Sequence, residues 1–145
     1  MRHLKKHSIY VIRLEKGERI IESLTAFCLR LKIRAAVFQG IGTCRRAELG
    51  FFRLTEKRYS FRTFRGEYEI TSLQGNVSLL GGKPFVHAHI VLGGPDFTSR
   101  SGHLKEAEVL ATCEVFLMPW PGALRREPDP ATGLNLLEWG RGRKG

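Results

Sequence analysis

The spacing of hydrophobic and polar residues changes several times along this chain, and each change predicts an element. Residues 8–14 alternate and predict a first strand, which Gly17 ends. The next segment reads ERIIESLTAFCLRLKI, and its apolar residues recur every three or four positions with charged residues opposite them. This spacing predicts one long amphipathic helix.

Several strand-like runs follow the predicted helix. Up to residue 80 they read RAAVFQGIGT, AELGFFRL, RYSFRTF, YEITSL and NVSLL, separated by polar or glycine turns. Their close spacing predicts antiparallel neighbours, because a parallel crossover needs about a dozen residues or more.

The last third of the chain mixes strand and loop signals. PFVHAHIVL predicts a strand, GGPDFTSRSGH a long loop, LKEAEVLATCEVFLMPW a short helix that becomes a strand, and TGLNLLEW a final strand. The whole pattern predicts an α+β fold in one domain, residues 1–140, followed by a short basic tail, residues 141–145. We expect an antiparallel or mixed, strongly bent sheet with the long helix packed on it.

The charge of the chain is distributed unevenly. The net charge is +10 over 145 residues; residues 1–66 hold 16 Lys and Arg against five Asp and Glu, whereas residues 67–140 hold five against nine. This asymmetry predicts a basic surface that attracts polyanions such as DNA. A solvated basic face without a specific partner is the alternative.

Other signals limit the class of protein. No apolar run approaches the roughly 18 residues of a membrane span, and the basic N-terminus does not resemble a signal peptide, so we expect a cytoplasmic protein. The dispersed Cys28, Cys44 and Cys113 predict buried thiols and not a disulfide framework or zinc ribbon. GIGT lacks the ending of a phosphate-binding P-loop, so nucleotide binding is not expected.

Basic and aromatic residues interleave in the segment RRAELGFFRLTEKRYSFRTFR, which begins at Arg45. In a strand, Arg58 and Arg62 share one face, while Tyr59 and Phe61 share the other. This pattern predicts a basic outer face and an aromatic face that packs in the core or at a subunit contact. Phosphate contacts from such a face bind DNA with little sequence preference. The predicted nucleic-acid-binding residues here are Arg45, Arg46, Arg53, Lys57, Arg58 and Arg62.

Three of the five histidines lie in the stretch FVHAHIVLGGPDFTSRSGHL. Side chains two residues apart in a strand share a face about 6.5–7 Å apart, so His87 and His89 can reach one ion. Gly102 would allow the chain to turn and bring His103 close. Three neutral imidazoles with an open fourth position are typical of a reactive zinc site. Partly buried histidines hydrogen-bonded to the backbone are the alternative.

The chain resembles the plant and prokaryote conserved (PPC) domain family over most of its length. The resemblance is carried by QGIGTCRRAELGFF, YEITSLQGNVSLLGGKPFVHAHIVLG and SGHLKEAEVLATCEVFL, which occur in this order at the spacing of the family. It implies a PPC-like fold, a homotrimer, an association with DNA, and a divalent metal, most simply zinc, held by His87, His89 and His103. The chain departs from the pattern at Ser101, where the family usually has glycine.

Plant relatives pair this domain with an AT-hook, an R-G-R-P segment that enters the minor groove. The chain ends GRGRKG, in which Arg141 and Arg143 resemble that core and Lys144 replaces the proline. We include these three basic residues among the predicted nucleic-acid-binding residues. A solvated tail is the alternative.

The sequence leaves three functions open. The first is a DNA-binding, metal-containing trimer. The second is a zinc-type hydrolase or lyase that acts on a small anionic substrate, with Glu114 or Glu69 as general base and Arg100 or Arg126 to orient the anion. The third is a purely structural metal that stabilises a subunit contact.

Overall fold

The computed structural model describes residues 1–138, which form a strand-rich domain with one short helix. The predicted basic tail at residues 141–145 lies outside the described residues. In chain order, the elements are β1 (Arg2–Lys6), β2 (Ile9–Glu15), α1 (Ile20–Arg30), β3 (Ala36–Arg53), a 3₁₀ turn (Leu54–Glu56), β4 (Arg58–Leu80), β5 (Lys83–Gly93), β6 (Ser99–Pro119), β7 (Arg125–Pro128) and β8 (Asn135–Glu138).

Within residues 1–138, eight strands form one mixed sheet in which β4 and β6 each pair with three other strands. Strand β6 pairs with β2, β3 and β5, and all three pairings are antiparallel. Strand β4 pairs with both β3 and β5, so that β3, β4, β5 and β6 close into a ring. Only β7 adds in parallel, beside β4. Closure of four strands into a ring requires a strongly bent sheet.

The helix lies where β6 has no strand along one of its edges. Residues 99–103 of β6 pair with β5 and residues 112–117 pair with β2, which leaves a gap between them. The chain just before α1 occupies this gap: the Gly17 N–H donates to the Val109 carbonyl at 2.9 Å, and the Val109 N–H donates to the Glu18 carbonyl at 3.0 Å. The buried side chains of α1 then close one end of the core.

Neither end of α1 has the sequence signal that usually marks a helix terminus. Arg19 occupies the N-cap and provides no side-chain cap. Instead, the Glu106 carboxylate on β6 accepts hydrogen bonds from the backbone N–H groups of Ile21 (2.9 Å) and Glu22 (3.2 Å). At the other end Lys32 has a left-handed backbone (φ 54°), and the Ile33 N–H donates to the Cys28 carbonyl. These bonds form a Schellman motif, which ends the helix.

The predicted α+β fold with one long helix is therefore wrong. Strands make up 68% of the described residues and helical residues 10%, and α1 has only 11 residues. The expected short helix at the start of LKEAEVLATCEVFLMPW is also a strand, because that segment pairs with β3 on one side.

The core lies between α1 and the inner face of the bent sheet. Ile20, Leu24 and Phe27 of the helix are fully buried against residues of β2, β5 and β6. All three cysteines are buried and unpaired, as predicted, and burial raises the pKa of the Cys113 thiol to about 12. No helix within residues 1–138 is long and apolar enough to cross a membrane.

Replacement of Glu106 by alanine tests the remote cap on α1. The variant leaves the Ile21 and Glu22 N–H groups without their acceptor, and we expect the free energy of unfolding to fall by about 1–2 kcal/mol. Chemical denaturation measures the change. Glu67→Ala, at an exposed position of β4, is the matched control and should shift stability by less than about 0.5 kcal/mol. Equal stability of the two variants would exclude a role for Glu106 as the cap.

Candidate metal centre and basic surface

His87 and His89 lie on β5 and point to the same face of the sheet. Ala88, between them, is buried in the core, whereas His87 is half-buried and His89 is exposed. This alternation is the period of a strand, and it confirms that HxH places both imidazoles on one face.

His103 reaches the same face from a strand, not from the predicted long loop. Strand β6 begins at Ser99, and only residues 94–98 form the turn after β5. His103 is the direct antiparallel partner of His89. Partners opposite each other across an antiparallel pair project to the same side, so the register itself brings the third ring to the other two.

The three rings form a compact triangle. Their centroids are 5.3 Å apart for His87 and His89, 5.1 Å for His87 and His103, and 5.5 Å for His89 and His103. One ring nitrogen from each residue lies within 4.8 Å of the others. Metal–nitrogen bonds are about 2.0–2.1 Å long, so this spacing allows three nitrogens to share one ion.

The surroundings of His87 and His103 favour the neutral form of these two imidazoles, since both pKa values are lowered. Burial, together with the charge of Arg126, lowers the pKa of His87 to about 4. Burial also lowers the pKa of His103, with smaller contributions from His89 and Arg126. Neutral imidazole has the free lone pair that zinc requires, so the chemistry of this donor set fits a zinc-like ion.

A buried polar atom provides a second test of fit. The Nδ1 atom of His103 is buried and has no hydrogen-bond partner among the described residues. A buried polar group without a partner costs about 1–3 kcal/mol, and coordination of an ion would remove that cost. This orphaned nitrogen therefore agrees with a ligand role for His103.

Arg126 on β7 forms the wall beside His87. Its guanidinium donates hydrogen bonds to the Nδ1 atom of His87 (3.2 Å), the side-chain oxygen of Asn76 (3.0 Å), the hydroxyl of Ser78 (2.9 Å) and the carbonyl of Asn135 (2.7 Å). Since a guanidinium only donates, the Nδ1 atom of neutral His87 accepts and its proton lies on Nε2. To bind an ion through Nδ1, His87 must give up the hydrogen bond from Arg126. To bind an ion through Nε2, it must lose the Nε2 proton.

Two cavities meet at His87. An open cleft of about 440 Å³ is lined on one side by His87 and His89 and on the other by Val37, Gln39 and Met118. A smaller cavity of about 150 Å³ contacts the opposite side of His87. Its lining residues are Tyr59, Phe85, His87, His103, Arg126, Leu134, Asn135 and Leu136.

The open cleft lies on the outer face of the sheet, which carries exposed apolar side chains. Cross-strand pairing places Phe116, Gln39, Gln74 and His89 in one row that continues to His103. Large apolar residues in or beside this row are exposed to solvent. They are Val37, Ile41 and Phe116.

The carboxylates considered from the sequence are not brought to the histidines. Glu114 lines a separate cleft with Ile41 and Thr71, and Glu69 lies beside Gly93 at the far end of β5. Arg100 bonds to Thr98 within its own turn. Of these four residues, only Arg126 lines a cavity that contains a histidine of the cluster.

Sequence reasoning missed the side chains that surround Arg126 and His103. Tyr59 packs on the His103 ring at 4.9 Å between centroids, and burial raises its pKa. Asn76 and Ser78 bind the guanidinium from alternate positions of β4. Two polar residues at alternate positions of the apolar run GNVSLL were the available signal, because a buried polar side chain requires a partner.

The predicted basic residues lie on a long hairpin made by the end of β3 and the start of β4. All six are exposed. Arg53 pairs directly with Arg58 and Leu49 with Arg62, so Arg53, Arg58 and Arg62 share one face, while Arg46 projects from the other. The expected common face of Arg58 and Arg62 is therefore confirmed, but the basic residues as a set occupy both faces.

Part of this positive charge is already paired. Arg45 forms an ion pair with Glu108, which raises the pKa of the arginine, and Arg58 pairs with Glu56. Within residues 1–138, neither Arg46 nor Arg62 forms a salt bridge. The aromatic residues are also not all in the core: Phe51 is 70% and Phe61 43% exposed.

The architecture combines a bent sheet, a cluster of three histidines and a protruding basic hairpin. Comparison with known proteins shows to which family the chain belongs. Residues 1–121 match the Plants and Prokaryotes Conserved (PCC) domain, which is the family abbreviated PPC above, and the chain belongs to this family. No curated protein matches the chain.

Several solved structures are similar along nearly the whole chain. A protein from Bacteroides thetaiotaomicron named "putative DNA binding protein" is 29% identical with a TM-score of 0.93, and 97% of this chain and 98% of that chain are covered. A PPC protein from Pyrococcus horikoshii is 36% identical with a TM-score of 0.85, at 95% and 94% coverage. A protein from Archaeoglobus fulgidus named as metal-containing is 37% identical with a TM-score of 0.85, at 90% and 93% coverage.

Gly75 provides a test of how β4 positions His87. A Cβ atom at Gly75 would lie 2.2 Å from the His87 carbonyl oxygen and 2.4 Å from the Phe38 ring. We expect Gly75→Ala to lower the free energy of unfolding by about 1–3 kcal/mol and to shift the resonances of His87. Gly93→Ala, where the nearest atom is 3.4 Å away, is the control. A Gly75→Ala variant as stable as wild type, with unshifted His87 resonances, would contradict this account.

Proposed function

We propose that this chain is a DNA-binding protein of the PPC type, a homotrimer that holds a divalent metal, zinc by its donor set, on His87, His89 and His103. DNA binds mainly through the exposed basic hairpin. The observation that carries this function is the face on which Arg53, Arg58 and Arg62 lie together, in a chain whose structural relatives include two named "putative DNA-binding protein". No base-reading motif accompanies it, so the contacts are to phosphates.

The proposed DNA surface includes both faces of the hairpin. A protruding two-stranded arm can contact phosphates on either side of it, and exposed arginines provide sequence-independent affinity. The proposed contacts are Arg45, Arg46, Arg53, Lys57, Arg58 and Arg62, with Arg141, Arg143 and Lys144 of the tail as additional phosphate contacts.

Charge neutralisation on the hairpin tests DNA binding. We expect the double variant Arg58→Gln, Arg62→Gln to bind duplex DNA several-fold more weakly, and the slope of log affinity against log salt to fall by about one for each phosphate that the protein no longer neutralises. Fluorescence anisotropy at several salt concentrations measures both quantities. Deletion of residues 141–145 should lower the slope further.

The matched control for this experiment is the double variant Arg34→Gln, Arg125→Gln. Both residues are exposed and lie outside the hairpin, and the variant loses the same charge. If both double variants lose the same affinity, binding reflects only net charge. No detectable binding of the wild-type protein to duplex DNA at low salt would exclude the proposed function.

The proposed metal and trimer are supported by features of the outer sheet face. Three nitrogens converge within 4.8 Å, and one relative is named as metal-containing. The exposed Val37, Ile41 and Phe116 lie on the same face as the histidines. Because exposed apolar clusters mark interaction sites, this face suits contact between subunits.

Removal of two ligands tests the metal site. We expect tag-free wild-type protein to retain about one divalent ion per chain and the double variant His87→Ala, His89→Ala to retain none. Elemental analysis gives the metal content, and sedimentation gives the mass, expected to be that of three chains. His3→Ala, outside the cluster, is the control and should keep its metal.

These measurements, together with thermal unfolding, test whether the ion has a structural role at the subunit contact. If the double variant loses the metal, thermal stability and trimer mass together, the ion supports the subunit contact. If it loses only the metal, a structural role is excluded. Metal retained by the double variant would show that the ion lies elsewhere.

A zinc-type hydrolase or lyase acting on a small anion is the second candidate. It is favoured by the three-membered cluster, which leaves a coordination position open and borders an open cleft of about 440 Å³. A zinc ion in such a site lowers the pKa of a bound water towards ~7. No carboxylate of the described residues lines the two cavities at the cluster, so a general base would have to be a histidine or Tyr59.

A further inference from the structure

Arg126 is a half-buried cation whose neighbours are neutral. The four acceptors of its guanidinium are a backbone carbonyl, an amide, a hydroxyl and an imidazole. Among residues 1–138 no Asp or Glu forms a salt bridge with it. Glu106 and Glu108, which are also partly buried, each lie beside an arginine.

Burial of a charge without a counter-ion is unfavourable. A cation removed from water loses hydration energy, which neutral hydrogen bonds replace only in part, so unpaired buried charges are rare outside binding sites. Adjacent Arg125 on the same strand is exposed to solvent, so a cation on β7 can remain hydrated. Arg126 is instead turned inward, towards the histidine cluster.

The cavity at Arg126 offers donors and an apolar wall. Four of the five guanidinium N–H groups are used, which leaves one on Nη1. Tyr59 lines the same cavity, and its hydroxyl makes no hydrogen bond with another described residue. Phe85, Leu134 and Leu136 form an apolar wall, and His87, His103 and Asn135 complete the lining. No acidic side chain of residues 1–138 lines the cavity.

We propose that this cavity, between Arg126 and Tyr59 and beneath the β7–β8 hairpin, binds a small organic carboxylate. One cation balances one negative charge, and two donors match the two oxygens of a carboxylate. The apolar wall accommodates a short hydrocarbon tail. The volume of about 150 Å³ limits the ligand to a few carbon atoms. Phosphate suits the cavity less well, because a dianion would leave charge uncompensated against an apolar wall.

This carboxylate site goes beyond the proposed function. Its cavity shares His87 and His103 with the proposed metal site, but the groups proposed to bind the carboxylate, Arg126 and Tyr59, are not metal ligands. Its test therefore uses the full chain freed of metal with a chelator, so that failure of the metal or DNA proposal leaves the result interpretable. Sodium butyrate is the probe, and backbone amide shifts in NMR spectra report its binding. Butyramide, the neutral analogue of the same shape, and inorganic phosphate are titrated in parallel.

We expect butyrate to saturate shifts at Tyr59, Phe85 and Leu136, and butyramide to bind at least about tenfold more weakly, since a charge-assisted hydrogen bond contributes roughly that factor. Arg126→Gln should weaken butyrate binding to the same degree, while Arg125→Gln, on the exposed side of β7, should leave it unchanged. Tyr59→Phe, which keeps the aromatic ring, should weaken it about threefold or more, as expected for loss of a neutral hydrogen bond.

The outcomes that overturn the proposal are specific. Equal binding of butyrate and butyramide would mean that the cavity recognises only an apolar shape. Phosphate binding that exceeds butyrate binding would replace the carboxylate by an inorganic anion. If Arg126→Gln unfolds the β7–β8 hairpin, the butyrate affinity of Tyr59→Phe becomes the deciding measurement. An unchanged affinity in that variant would contradict the site.

Discussion

The antiparallel pairing of β5 with the first residues of β6 is the constraint on which both the fold and the site depend. This pairing has only five residue pairs, yet it closes the ring of β3, β4, β5 and β6. The same pairs place His103 opposite His89. A shift of one residue would turn His103 to the other face of the sheet, because side chains alternate along a strand. The same strand register therefore both closes the ring and assembles the histidine cluster.

The sequence predicted the local part of the site and not its long-range part. Strand alternation was enough to place His87 and His89 on one face, whereas His103 was linked to them by an expected turn at Gly102 and by the family resemblance. The glycine- and serine-rich run before His103 predicted a long loop, but its second half, from Ser99 onward, belongs to strand β6. Beyond it, bulges in the pairing of β6 with β3 space the buried Leu104, Ala107 and Val109 irregularly, and a spacing of three imitates a helix.

The length of α1 could not be predicted for a related reason. The carboxylate that satisfies its first N–H groups comes from Glu106, far along the chain, so the N-terminal signal is absent from the local sequence. Its end depends on a left-handed Lys32, although glycine is the usual residue there. The apolar spacing continues through Ile33, which is buried but no longer helical. Periodicity therefore identified most of the buried positions but not Leu31, which is exposed, and it overestimated the length of the helix.

The chain carries two kinds of positive charge, and they favour different anions. The arginines of the hairpin are exposed, several are paired with glutamates, and salt screens their fields over about 10 Å at 0.1 M. They suit a polyanion that offers many weak contacts. Arg126 is half-buried beside neutral imidazoles, where screening is weak and a single small anion would gain most. Rising ionic strength should therefore weaken association at the hairpin long before it weakens binding at Arg126, which makes the two surfaces separable in one protein.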